Sequence, residues 1–108
     1  MSDTNRQLAL FAFLTAKPDM GDELGRRLMA LAEPARAEAG NINYDLHRTR
    51  DSPDVRALYE NWTSPAALEA HFEEGYRKAF VATLGEVMQG EMGLRRATMM
   101  TEIAARKA

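Results

Sequence analysis

The sequence contains no cysteine among its 108 residues. Disulfides, thiolate metal sites, iron–sulfur clusters and cysteine nucleophiles are therefore excluded from any account of its function. An excess of basic residues is also missing, since 14 Lys and Arg stand against 16 Asp and Glu. Nucleic-acid-binding domains normally present a basic face. The formal net charge of −2 therefore predicts no nucleic-acid partner.

Long apolar runs are absent as well. The longest, Leu8–Leu14, is a single short segment, whereas a helix that crosses a bilayer needs roughly 20 apolar residues. Met1–Gln7 is polar and lacks the charged-then-apolar form of a signal peptide. We expect a cytoplasmic protein with no membrane partner.

Metal-ligand clusters and phosphate-binding loops are equally scarce. The two histidines, His47 and His71, have no carboxylate at a recognisable ligand spacing. No glycine-rich segment joins a predicted strand to a predicted helix. The sequence therefore predicts neither a metal site nor a nucleotide cofactor.

The segment Leu8–Leu14 is apolar at every position, which predicts a strand with both faces buried. A helix is then predicted to open at Pro18–Asp19, and Pro34 should kink or end it. Gly40 lies just beyond as a plausible terminator. One face of this helix carries Met20, Leu24, Leu28, Leu31 and Ala35.

A hairpin follows, with strands over Asn41–Arg50 and Val55–Trp62 joined by the turn residues 51–54. A turn centred on Ser52 would pair Tyr44 with Glu60, Leu46 with Leu58 and Ile42 with Trp62, and a slip of one residue would reverse the faces.

Ser64 and Pro65 are typical of a helix start. Gly75 should break this helix, and a second stretch, with Tyr76, Phe80, Leu84 and Met88 in register, should run to Gly90. A last strand is predicted over Met92–Ile103, followed by a frayed tail at 104–108. The element order predicts an α+β fold of the ferredoxin-like βαββαβ type with a four-stranded antiparallel sheet.

In this fold both helices cover one face of the sheet, and the other face keeps half of the Leu8–Leu14 side chains. A second copy of the chain is the simplest cover, because the tail is too short and too charged to fold over it. We expect a homodimer.

Several short motifs occur in an order that resembles the antibiotic biosynthesis monooxygenase family, most closely its quinol-monooxygenase-like branch. These are Lys17-Pro18, residues 35–40, Tyr44 with Leu46, Glu60-Asn61-Trp62, and residues 66–71. The resemblance covers about Leu8 to Phe80 and implies a dimeric α+β barrel. The length of the chain predicts one domain, 1–108, with a core of about 7–103. It also implies oxygenation of a quinol- or anthrone-like aromatic substrate by O2, without metal, flavin or haem.

Such chemistry needs a positioned base and an apolar pocket for an aromatic ring. We predict His71 as the base, since imidazole titrates near neutral pH. Trp62, Asn61 and Glu60 are its predicted catalytic companions, and Tyr44, Phe72, Tyr76, Phe80 and Phe11 are the predicted substrate-binding residues.

Structural interpretations stay open for the same residues. His71 suits a buried helix face, and Trp62 suits a barrel plug. The Tyr44 hydroxyl could be bonded by Glu60, and Glu60 could pair with Arg48 or Arg56 across the hairpin. The stripe from Tyr76 to Met88 also suits a core.

A haem-degrading branch of the same fold relies on an Asn and an axial His, whose positions fall near Phe11 and Val81 here. Neither residue can serve, so the resemblance to that branch fails. Two other functions remain open: an isomerase or other non-redox enzyme that uses His71 to move a proton, and a non-catalytic small-molecule binding module.

Overall fold

The central element of the fold is its first strand, β1 (Leu8–Ala16), in a computed structural model that describes residues 7–101. Its side chains alternate, and Leu10, Ala12, Leu14 and Ala16 are buried beneath the helices. The strand extends two residues past the predicted Leu14. The predicted strand end at Ile103, the tail at 104–108 and the polar residues 1–6 lie outside the described residues.

The first helix, α1 (Gly21–Ala37), begins later than predicted. Pro18 and Asp19 form a turn instead, in which Asp19 takes a positive φ of 65°. Pro34 does not end the helix, although it lacks the N–H of a regular helical bond. The apolar stripe packs on β1 through Leu24, Leu28, Leu31 and Ala35, all of them buried.

The hairpin consists of β2 (Asn41–Arg48) and β3 (Val55–Trp62), so the first of its strands stops two residues short of the predicted Arg50. Two predicted pairs, Tyr44 with Glu60 and Leu46 with Leu58, are confirmed. The third is wrong: Asn41, not Ile42, lies opposite Trp62, because the register shifts between Asn41 and Asn43. Ile42 occupies the irregularity and is exposed.

The second half of the chain contains α2 (Pro65–Phe72), α3 (Gly75–Thr83), a single 3₁₀ turn (Leu84–Glu86) and β4 (Met88–Ala97). Ser64 caps α2 by accepting from the amide of Ala67, as predicted. The helical stretch was predicted to reach Gly90, which is wrong. Gly90 instead lies inside β4 with φ 70°, near a register shift between β1 and β4.

The strands form one antiparallel sheet in the order β2-β3-β1-β4, with the helices on one face. This is the predicted ferredoxin-like α+β fold. The opposite face exposes Phe11 and Phe13, which are 37% and 47% accessible. The prediction that both faces of the first strand are buried is therefore not met within one chain.

Candidate active site

The carboxylate of Glu38 lies just past the end of α1, where the chain turns back toward β2. Gly40 makes this turn fit against α2, because a Cβ at Gly40 would collide with the Cβ of Ala67. The amide of Thr63 donates to the Gly40 carbonyl and fixes the same junction. The close approach of these segments brings Glu38 to the buried face of α2.

His71 is on that buried face and is 2% exposed. Its Nδ1 lies 2.7 Å from Oε2 of Glu38, and the Tyr76 hydroxyl donates to the same oxygen. The Tyr76 hydroxyl also lies 3.2 Å from Nδ1. An ionised carboxylate only accepts hydrogen bonds, so this contact holds the His71 proton on Nδ1. In the neutral ring, Nε2 is then left with a lone pair.

Glu60 and Trp62 project from β3 toward the same helix, two residues apart on one strand face. The indole Nε1 of Trp62 donates to Oε1 of Glu60 at 3.0 Å. The Trp62 ring packs on the His71 imidazole with 4.5 Å between ring centroids. Trp62 therefore orients both an acidic and a basic group.

Burial raises the pKa of the acidic groups at this site and lowers the pKa of the histidine. It raises the pKa of Glu60 from 4.5 to about 7, against the hydrogen bond from Trp62. It lowers the pKa of His71, while the hydrogen bond and charge of Glu38 oppose that shift. It raises the pKa of Tyr44, with a further contribution from Glu60. Burial therefore favours the uncharged form of both His71 and Glu60.

Glu60, His71 and Tyr44 border a small cavity of about 20 Å³. Such a space holds about one water molecule. Its polar or charged lining residues are Tyr44, Glu60, His71 and Arg77. Its apolar lining residues are Leu10, Ala12, Leu28, Leu31, Leu58, Phe72, Phe80, Met92 and Leu94.

Three polar atoms are available to a molecule in this cavity. Within residues 7–101, Nε2 of His71, the second carboxyl oxygen of Glu60 and the Tyr44 hydroxyl have no hydrogen-bond partner. All three residues line the cavity.

The structure thus brings together most of the residues singled out from the sequence. His71, Glu60, Tyr44, Phe72 and Phe80 line the cavity, while Trp62 and Tyr76 contact His71.

Two of the sequence candidates lie elsewhere, on the opposite face of the sheet. The Asn61 side chain hydrogen-bonds with those of Gln7 and Asn43. Phe11 stacks on Tyr59 with 5.1 Å between ring centroids. Both positions follow from strand alternation, which turns neighbours of Glu60 away from the helices. Neither residue can reach the cavity of its own chain.

The alternative ion pairs of Glu60 with Arg48 or Arg56 do not form among residues 7–101. Arg56 is buried, but it donates to the carbonyls of Pro53 and Gly21. Arg48 lies 3.8 Å from Asp22. Neither arginine pairs with Glu60 among residues 7–101, and Trp62 is the donor that Glu60 retains there.

Sequence reasoning missed two site residues, Glu38 and Arg77. Arg77 lies over the Phe72 ring with its Cζ 4.4 Å from the ring centroid, and it lines the cavity. In the sequence, only its position next to Tyr76, a predicted substrate-binding residue, points to Arg77 as part of the site. Glu38 falls within a motif of the family resemblance, but nothing local linked it to His71.

Two further properties concern the part of the chain that the structure describes. No helix there is long and apolar enough to cross a membrane. No three residues of the His, Asp or Glu types come together there in a way that would hold a metal ion.

Comparison with known proteins places the fold in a family context. Residues 8–83 match the family model described as "Antibiotic biosynthesis monooxygenase". The protein "Putative monooxygenase YcnE" of Bacillus subtilis is 28% identical over 89 residues, which are 82% of this chain and 94% of that protein. "Putative monooxygenase Rv0793" of Mycobacterium tuberculosis is 31% identical over 81 residues, 75% of this chain and 79% of its own length.

Solved structures of other proteins superpose on most of this chain. The structure of Rv0793 superposes with a TM-score of 0.85 at 26% identity, covering 91% of this chain and 99% of that one. PA3566 from Pseudomonas aeruginosa superposes with a TM-score of 0.84 at 31% identity, covering 93% of this chain and 100% of that one. Because the family model matches more than half of the sequence, the chain belongs to the antibiotic biosynthesis monooxygenase family.

Proposed function

We propose that this protein is a cofactor-independent monooxygenase that oxidises a small quinol- or anthrone-like aromatic substrate with O2. The observation that carries the proposal is the buried His71, whose Nδ1 is held by Glu38 and whose ring lines a cavity that Tyr44, Phe72 and Phe80 also line. A group held in this way can take a proton from an acidic hydroxyl or methylene group. Family membership supports the same class of reaction.

The first step is proton transfer from the substrate to Nε2 of His71. Glu38 stabilises the imidazolium that forms, as an acidic partner of a catalytic histidine does. Tyr44 and the protonated form of Glu60 can donate hydrogen bonds to the oxygen of the resulting anion. The anion is electron-rich and able to give an electron to O2.

The oxygen balance of the reaction is that of a monooxygenase. The substrate anion transfers one electron to O2, and the radical pair joins to form a C–O bond and a peroxide. After protonation the O–O bond breaks, the ring carbon keeps one oxygen as a carbonyl and loses its hydrogen, and the other oxygen leaves as water. A quinol and O2 thus give a hydroxyquinone and water, and an anthrone and O2 give an anthraquinone and water.

The activity can be tested by following O2 consumption with a panel of quinols and anthrones in the presence of a metal chelator. We expect at least one substrate to consume O2 well above the rate without protein, with one O2 used per product formed. Turnover that continues without O2 would favour an isomerase instead. Saturable binding without conversion would favour a binding module.

We further propose that the exposed face of the sheet is covered by a second copy of the chain. The apolar side chains on this face include Phe11 and Phe13, which alternate along β1 with its buried residues. Contiguous exposed aromatic surface of this kind is typical of an interface. A twofold pairing of identical sheets would bury it without any other partner.

Replacement of Phe13 by aspartate should convert the dimer into a monomer, because it would place a charge in the middle of the apolar interface. Light scattering should give twice the chain mass of 12.1 kDa for the natural protein and the single mass for the variant. Met29→Asp is the matched control, since Met29 is 68% exposed on α1. A natural protein that is monomeric at all concentrations tested would contradict the proposal.

A further inference from the structure

The cavity beside His71 is closed to any aromatic ring in this conformation. Its volume of about 20 Å³ compares with the 300 Å³ or more of typical small-molecule pockets, an order-of-magnitude difference. The walls formed by α1, β1 and β3 belong to the buried core. The remaining walls include Arg77 and Phe80 of α3, a helix in which no residue is fully buried. β4, which also lines the cavity, is hydrogen-bonded to β1, so displacement of α3 is the less costly way to enlarge the cavity.

Tyr76, at the start of α3, connects this wall of the cavity directly to the hydrogen-bonded pair of His71 and Glu38. Tyr76 donates its hydroxyl to Oε2 of Glu38, the oxygen that also accepts from His71 Nδ1. Glu38 lies two residues before Gly40, whose close approach to Ala67 fixes this part of the chain against α2. The contact between Tyr76 and Glu38 must break if α3 moves away.

We propose that Tyr76 is a positioning residue: by sharing one oxygen of Glu38 with His71, it latches α3 over the cavity and weakens the hold of Glu38 on the imidazolium. This inference rests on the proposed function of His71 as the base. With the latch closed, the carboxylate divides its charge between two donors. With the latch open, the whole carboxylate supports His71, which becomes a stronger base as the substrate enters.

The charged and titratable groups that face His71 come from four elements or their ends. They are Glu38 after α1, Tyr44 on β2, Glu60 on β3, Glu74 before α3, and Tyr76 and Arg77 within α3. Glu38 and Glu74 favour the imidazolium, whereas Arg77 and burial oppose it. Tyr76 differs from the other groups because it acts on His71 through a shared hydrogen-bond acceptor, Oε2 of Glu38.

The latch can be tested by NMR titration of the two imidazoles, with His47→Gln used to assign the His71 signal. Tyr76→Phe should raise the pKa of His71 by roughly 0.5 to 1, because a full carboxylate then faces the ring. Glu38→Gln should lower it. Tyr59→Phe is the matched control, since Tyr59 lies on the opposite face of the sheet and stacks on Phe11.

The double variant separates the latch from a simple gain in solvent access. If Tyr76 acts through Glu38, Tyr76→Phe should have little effect on the pKa of His71 once Glu38 is glutamine. An equal rise in both backgrounds would mean that Tyr76 only shields the ring from water, and would overturn the proposal. No rise in either background would overturn it as well.

Movement of α3 is measured separately, using the absence of natural cysteines. Spin labels at Met29→Cys on α1 and Val81→Cys on α3 occupy exposed positions. Tyr76→Phe should broaden or lengthen the distance distribution between them, and Tyr59→Phe should not. Identical distributions in the two variants would contradict the latch. Neither measurement requires turnover, so a failure of the O2 assay would leave these results interpretable.

Discussion

Replacing His71 with glutamine should lower kcat/KM for the oxidised substrate by about 10²- to 10⁴-fold, the usual contribution of a positioned general base. Glutamine keeps a polar group of similar length on α2, but it cannot accept a proton at neutral pH. In the natural protein, Nδ1 of His71 is hydrogen-bonded to Glu38 and the residue lines the cavity. Initial rates of O2 consumption at several substrate concentrations would give the ratio.

His47→Gln provides the control for this prediction. His47 is exposed on β2 and points away from the helix-covered face. The same substitution there should leave kcat/KM unchanged. If His71→Gln folds, as judged by its circular dichroism and thermal transition, and retains full activity, then His71 is not the base.

Replacing Glu60 with glutamine should stabilise the protein at pH 8 by about 3 kcal/mol and have little effect at pH 4.5. The pKa of Glu60 is near 4.5 in the unfolded chain and is raised to about 7 by burial in the folded one. Between these values the folded state binds a proton that the unfolded state has released. Stability from this group is therefore complete below pH 4.5 and falls as the pH rises to about 7.

Urea denaturation at matched protein concentrations would measure this difference between the two proteins. Glutamine can still accept the hydrogen bond from Trp62, so the site keeps its shape. The lowered pKa of His71 acts in the opposite direction, because protonation there favours the unfolded state as the pH falls. It is common to both proteins and cancels in the comparison. Glu33→Gln, at an exposed position on α1, is the control. A constant difference between Glu60→Gln and the natural protein from pH 4.5 to 8 would show that burial does not raise the Glu60 pKa.

Much of the fold was accessible from periodicity alone. The alternation along β3 placed Glu60 and Trp62 on one face, and the i, i+3 spacing of Leu68 and His71 placed them on the buried face of α2. These two local patterns are enough to bring Trp62 and His71 together once the helix covers the sheet. The same alternation places Asn61 on the other face of the sheet, away from His71, as the structure shows.

The errors in element boundaries have local physical causes. Met88 lies four residues after Leu84, which imitates a continuing helix, but α3 gives way to a 3₁₀ turn and Met88 begins β4. The position of Gly90 after an apolar helical stripe predicts a helix terminator, but Gly90 instead supplies a positive φ within β4. Ile42 lies at the register shift between β2 and β3, and no glycine or proline within β2 indicates this shift in the sequence.

The role of Glu38 could not be derived from the sequence. It is 33 residues from His71, in an alanine-rich segment past the end of a helix, where a glutamate usually faces solvent. The contact depends on how closely the end of α1 approaches α2, which Gly40 permits. Such three-dimensional proximity between polar residues leaves no periodic signature.

The central claim is that O2 itself is the oxidant and that one of its atoms enters the substrate at the His71 cavity. The most direct measurement is turnover under ¹⁸O2 with mass analysis of the product and of the water formed, in the presence of chelator. The proposed reaction predicts one labelled oxygen atom in each product molecule and the other in water. A product without label, formed at the same rate with and without O2, would contradict it.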